Sequence, residues 1–224
     1  MPTIVIDPGH GGSAKIGGSS ANNAVGPGGM LEKDVTLDVA LRLAPLVQAQ
    51  GHQVALTRDT DTNLGLSARA HVARDREAAA FVAIHFNGFN GRAQGTETFV
   101  HSGSGAASTT LAKFVQQFLL AVTQHTDRGV KRARFGVLSP ASHHPATAAC
   151  LVEVSVMDVA QEEQRLAQDA YRQGIAEGLA AAIQAFTQSG AFGLEMSPAS
   201  RPSTAPPAGA TARRSRCFSS SPPS

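Results

Sequence analysis

Only two cysteines occur in the chain, Cys150 inside an apolar run and Cys217 near the C-terminus, so no disulfide framework staples the fold. No apolar run approaches the roughly 18 residues needed to span a bilayer. The start, MPTIVIDPG, has no basic region followed by an apolar stretch and a cleavage site, so no export signal is expected within the chain as given, and the export route is left open. Charge is scarce as well. Charged residues make up 16% and the formal net charge is +2, which gives no case for nucleic acid as a partner. The glycine-rich GHGGSAKIGGSS lacks the G-x-x-x-x-G-K-[ST] spacing of a phosphate loop, and neither G-x-S-x-G nor H-E-x-x-H occurs. There is no internal repeat.

What is present reads as one α/β domain. With 42% hydrophobic residues in 224, the chain can fill one core. Strand-like runs alternate with helical patterns, the signature of helices packed on a largely parallel sheet. Strands are expected at residues 3–7 (TIVID), 52–58 (HQVALTR), 81–87 (FVAIHFN), 96–102 (TETFVHS) and 148–154 (AACLVEV). A helix is expected over residues 32–50, with Leu37, Ala40, Leu41, Ala44 and Val47 on its inner face and a kink at Pro45. Others are expected over 66–78, around Leu111 to Val122, and as one long helix over 161–188. The basic stretch RGVKRARFGVL reads as turns. After about Gly190 the composition shifts to Pro, Ser, Ala and Arg. Residues 1–189 are therefore expected to form the folded domain and 190–224 a disordered tail.

Ligands collect at the carboxyl ends of strands in such folds. His10 follows the first strand, His85 lies near the end of a central strand, and Glu32 opens a helix, so all three can converge on one rim. Two imidazoles and a carboxylate suit one zinc ion with a fourth position open. Glu153 lies within a buried-looking strand, where an ionised carboxylate is costly unless used, and a general base beside a metal would be such a use. Each residue also has a plainer reading. A lone histidine can be turn polarity, Glu32 a charge favoured by the helix dipole, and Glu153 the partner of an arginine. Cys150 fits small core packing better than a nucleophile served by His143 or His144, and those two histidines, like His52, His71, His101 and His125, read as surface or loop residues.

DPGHGG, LEKDVTLDVALRL, GHQVALTR, AIHFNG, GTETFV and LVEV, in that order, resemble the zinc-dependent N-acetylmuramoyl-L-alanine amidases of the Amidase_3 family over roughly residues 2–186. The resemblance implies a six-stranded sheet, zinc held by His10, Glu32 and His85, and Glu153 as the catalytic residue. It implies hydrolysis of the amide between the lactyl group of N-acetylmuramic acid and L-alanine in bacterial peptidoglycan, by a monomer acting at the cell wall or periplasm as an autolysin or endolysin. The family usually has small residues around the second histidine, whereas this chain has AIHFNG, so Phe86 and Asn87 are expected to shape the substrate groove. VSVMD after Glu153 also departs from the usual run. No regulatory insertion is visible, which implies an open site. Two alternatives stay open: a non-catalytic wall-binding protein on the same scaffold, and a zinc hydrolase of another amide bond.

Overall fold

The computed structural model describes residues 1–191. The expectation of a disordered tail concerns residues that, beyond 191, lie outside the described ones. Six strands form one sheet: β1 (Thr3–Pro8), β2 (Gln53–Leu56), β3 (Ala80–Asn87), β4 (Thr96–His101), β5 (Asp127–Ala133) and β6 (Ala148–Val156), in the spatial order β2-β1-β3-β6-β4-β5. Four of the five pairings are parallel, and β4 runs antiparallel to β6. The largely parallel α/β sheet expected from the sequence is thus observed, with β4 and β5 as a reversed pair.

Helices α1 (Glu32–Ala49), α3 (Ala106–Thr123) and α5 (Asp169–Gln188) cover one face of the sheet, and their apolar sides merge with Ile4, Val82 and Val152 into the main core. The short α2 (Leu66–Arg74) and two 3₁₀ turns, Gly136–Leu138 and Pro140–Ser142, lie on the other face over Val5, Phe81 and Ala149.

Three local expectations need correction. The basic stretch read as turns contains β5, because a strand at the sheet edge tolerates the Lys and Arg that a central strand would not. The long helix expected over 161–188 is two, α4 (Ala160–Leu166) and α5, separated at Ala167 and Gln168. In α1 the buried face is Glu32, Val35, Thr36, Val39, Ala40, Leu43 and Val47, whereas Leu41 is exposed. This helix has apolar residues on several sides, and the inward-pointing Glu32 fixes its rotation. The helix continues through Pro45, which sits on the exposed side where water can serve the carbonyl that Pro leaves unpaired.

A candidate metal centre with an adjoining carboxylate

The two buried arginines Arg69 and Arg58 organise the loop after β1. Arg69, 1% exposed, donates to Asp7 Oδ1 (2.8 Å), to the carbonyls of Pro8 (2.7 Å), His10 (2.6 Å) and Leu64 (3.0 Å), and to Asn63. Arg58 donates to the carbonyls of Pro8, Gly9, Thr60 and Lys33. Burial, followed by the neighbouring Arg69 charge, lowers its pKa to about 10. A guanidinium offers five donors in a fixed fork, so the pair gathers carbonyls that a sharp turn would otherwise strand. The turn is sharp: His10 has φ 61°, Gly11 φ 131° and Gly12 φ 64°. Gly9 serves a different need. A Cβ at residue 9 would lie 2.4 Å from the His85 ring, so this glycine is the space that the ring fills.

His10, Glu32 and His85 converge, each offering one ligand atom, with these atoms all within 4.8 Å of one another. His10 Nε2 lies 3.1 Å and His85 Nδ1 3.0 Å from Glu32 Oε1. Glu32 is 1% exposed and receives the backbone N–H of Phe86 on Oε1 (3.2 Å) and that of Ala24 on Oε2 (2.9 Å). Burial pushes its pKa up, but hydrogen bonds from His10 and His85 outweigh burial and hold it well below the usual range. The far nitrogen of His10, Nδ1, faces the Ser20 carbonyl at 3.1 Å and the Ser20 hydroxyl at 3.0 Å. With Nδ1 donating to that carbonyl, an ion that takes the place of the proton shared with Glu32 meets the lone pair of Nε2. Two nitrogens and one oxygen, already oriented and grouped around a common point, fit a borderline cation such as zinc.

Replacing Gly9 with alanine is expected to weaken metal binding by about tenfold or more, because the His85 ring must move. Competition with a chelator measures it, and an unchanged affinity would refute this role for Gly9.

Glu153 is half-buried on β6 beside His85, its register partner on β3. With His10, His85, Asn23, Leu151 and Phe135 it lines a cavity of about 200 Å³. Its Oε2 is buried without a hydrogen-bond partner. Burial first, then the charges of Glu32 and Glu97, push its pKa well above the usual carboxylate range. No arginine pairs with it among the described residues, so the plainer reading of Glu153 does not hold. A carboxyl group in this state binds a proton more strongly than an exposed one, as groups that exchange protons in a cleft do.

Phe86 is corrected. Its side chain is fully buried in the main core, so it offers no surface to a substrate, and only its backbone N–H reaches the site, through Glu32. Asn87 is half-buried, and its amide donates to Glu97 Oε1 at 2.9 Å, which ties it to a carboxylate on β4. His143 is also buried rather than superficial, at 6% exposed, with Nε2 against the Val137 carbonyl. Cys150 lies in the main core and burial pushes its thiol pKa up, whereas His143 packs on Phe81 on the other face of the sheet. The sequence reading missed Ser20, Arg58, Arg69 and Glu97. Only Arg58 and Glu97 carried a signal, as letters within GHQVALTR and GTETFV.

Residues 4–185 match the Amidase_3 family, described as N-acetylmuramoyl-L-alanine amidase. The chain is 36% identical over 180 residues to the N-acetylmuramoyl-L-alanine amidase CwlM of Bacillus licheniformis, covering 80% of this chain and 66% of that protein. It is 34% identical over 179 residues to the amidase LytC of Bacillus subtilis, covering 79% of this chain and 34% of LytC. The chain therefore spans about two thirds of one relative and one third of the other. Among solved structures, AmiC2 of Nostoc punctiforme superposes with a TM-score of 0.73 at 34% identity, covering 84% of this chain and 97% of that one. An N-acetylmuramoyl-L-alanine amidase from Clostridium difficile 630 does so with a TM-score of 0.75 at 30% identity, covering 84% and 97%. With the matched segment containing His10, Glu32, His85 and Glu153 alike, the chain belongs to the Amidase_3 family.

Proposed function

We propose that this protein is a zinc-dependent N-acetylmuramoyl-L-alanine amidase that acts on bacterial peptidoglycan at the cell wall. The observation that carries the reading is the meeting, at one cavity, of a three-residue ligand set and a carboxylate whose Oε2 has no partner. His10, Glu32 and His85 would hold the ion. Zinc, when bound, supplies Lewis acidity that polarises the amide carbonyl and makes water a stronger acid. Glu153 takes the proton from the attacking water and passes it to the departing amine of alanine, which leaves poorly unless protonated. The reserve of proton affinity that burial gives Glu153 serves both steps. Phe135 and Leu151 add apolar surface to the cavity lining. All four functional residues come from one chain, so the site needs no second copy. Among the described residues no helix is long and apolar enough to cross a membrane.

Digestion of purified peptidoglycan tests the reading. New free α-amino groups on alanine are expected, without new reducing sugar ends, since cleavage of a glycosidic bond calls for two carboxylates flanking an acetal. New amino termini only on residues further along the stem peptide would assign another amide bond, and no new ends at all would leave a wall-binding protein.

A further inference from the structure

The carboxylate cavity does not end at Glu153. His85 is in register with Glu153 across β3 and β6, and Glu97 faces Glu153 across the antiparallel pair of β6 and β4. Residues directly opposite on neighbouring strands share a face of the sheet. The same pairing sets Leu151 beside Phe99, and Phe99 beside Lys131 on β5. On this face α2 and the 3₁₀ turns pack over β1, β3 and β6, while α1, α3 and α5 all lie on the opposite face. The strip over β4 and β5 is therefore left without a covering helix among the described residues. It is continuous with the cavity, because Phe135, which lines the cavity, stands edge-on to Phe99 with ring centroids 5.0 Å apart.

The far end of this strip is positive. Glu97, 3% exposed, accepts hydrogen bonds from Asn87, Arg128 and Lys131. Two cations on one carboxylate leave a formal surplus of one positive charge. The side chains of Lys131 and Arg128 remain 40% and 31% exposed, so each keeps donors for another partner. β5 lies two strand spacings from β6, roughly 10 Å, and the long cationic side chains reach back toward Glu97. That distance is covered by about three extended residues of a peptide.

We propose that this strip docks the peptide arm of the substrate, with Lys131 and Arg128 pairing with a free carboxylate carried within the first residues beyond the cleaved bond. The inference rests on the amidase reading above. The occupant is an acidic peptide: apolar contact with Phe99 and Phe135 holds its backbone side, and the surplus charge selects the carboxylate over its carboxamide counterpart. Glu97 positions both cations and stays out of reach of the ligand.

Calorimetry on the full chain carrying Glu153→Gln, with muramyl peptides bearing either a carboxylate or a carboxamide at the residue next to alanine, tests the subsite. The carboxylate form is expected to bind about fivefold more tightly at low salt, the scale of a partly exposed ion pair. The preference fades as ionic strength rises. Lys131→Met abolishes it, whereas Lys131→Arg retains it; in either variant Arg128 still pairs with Glu97. Equal binding of the two forms by the Lys131-containing chain overturns the subsite, whatever the variants do, and so does a preference that survives Lys131→Met. Charge-selective binding by a chain whose Glu153-containing form hydrolyses neither peptide supports the subsite and refutes the amidase reading instead.

Discussion

Replacing Glu153 with glutamine is expected to lower the hydrolysis rate by on the order of 10²-fold or more, the loss typical of removing a general acid–base group. The amide keeps the size and shape of the carboxylate and cannot take the proton. The same variant should retain its metal, because Glu153 is not among the three converging ligand atoms. His10→Ala, by contrast, should lose both metal and activity, so metal analysis beside a rate assay separates the two roles. A stability measurement gives an independent check. The folded-state pKa of Glu153 is raised, so ionising it costs stability as pH climbs from the ordinary carboxylate range through the folded value. Metal-stripped Glu153→Gln should therefore melt above the unaltered chain at neutral pH, with the difference vanishing at acidic pH where both are uncharged. Undiminished rates in the variant would move the proton transfer to another group.

Replacing Arg69 with alanine is expected to cost about 3–5 kcal/mol, the scale for removing one partner of a buried ion pair. The loss comes from several acceptors at once: Asp7 keeps a buried charge, the carbonyls of His10 and Leu64 lose the guanidinium, and that of Pro8 keeps only Arg58. Asp7 is already short of partners, since its Oδ2 has none. Lysine should rescue little, because a point charge on a flexible stem cannot replace a planar fork aimed at acceptors in several directions. Chemical denaturation measures the effect. A change below about 1 kcal/mol would show that water replaces the guanidinium at low cost.

The meeting of the two imidazoles, the helix-opening glutamate and the strand glutamate was legible because they stand at strand ends, on a strand and at a helix start, positions that hydrophobic periodicity reveals. The loop that holds His10 was less legible. Arg58 and Arg69 bond chiefly to main-chain carbonyls, and carbonyls have no letter in a sequence, so nothing nearby marks these arginines as buried. Strand β5 was missed for a related reason: its Arg128, Lys131 and Arg132 depress any strand reading, and only its place at the sheet edge makes them acceptable. Phe86 was misplaced because alternation along β3 depends on which face is buried, and β3 is covered on both. The phase of α1 failed because apolar letters alone left two stripes open, and the choice between them was made by a polar residue, Glu32.

The order of strands in space also bears on when the molecule becomes active. β6 is the last strand made and takes a central place, between β3 and β4. Until it arrives, β3 and β4 have no partner on their facing edges, and the pairings it must form span much of the chain, which slows folding. The strand that closes the sheet is the one that carries Glu153. A chain still under synthesis can thus hold all three converging residues, His10, Glu32 and His85, while possessing neither a finished sheet nor the carboxylate proposed to carry the proton. The sheet is therefore completed only once Glu153 has been made, and α5 then closes the main core over it.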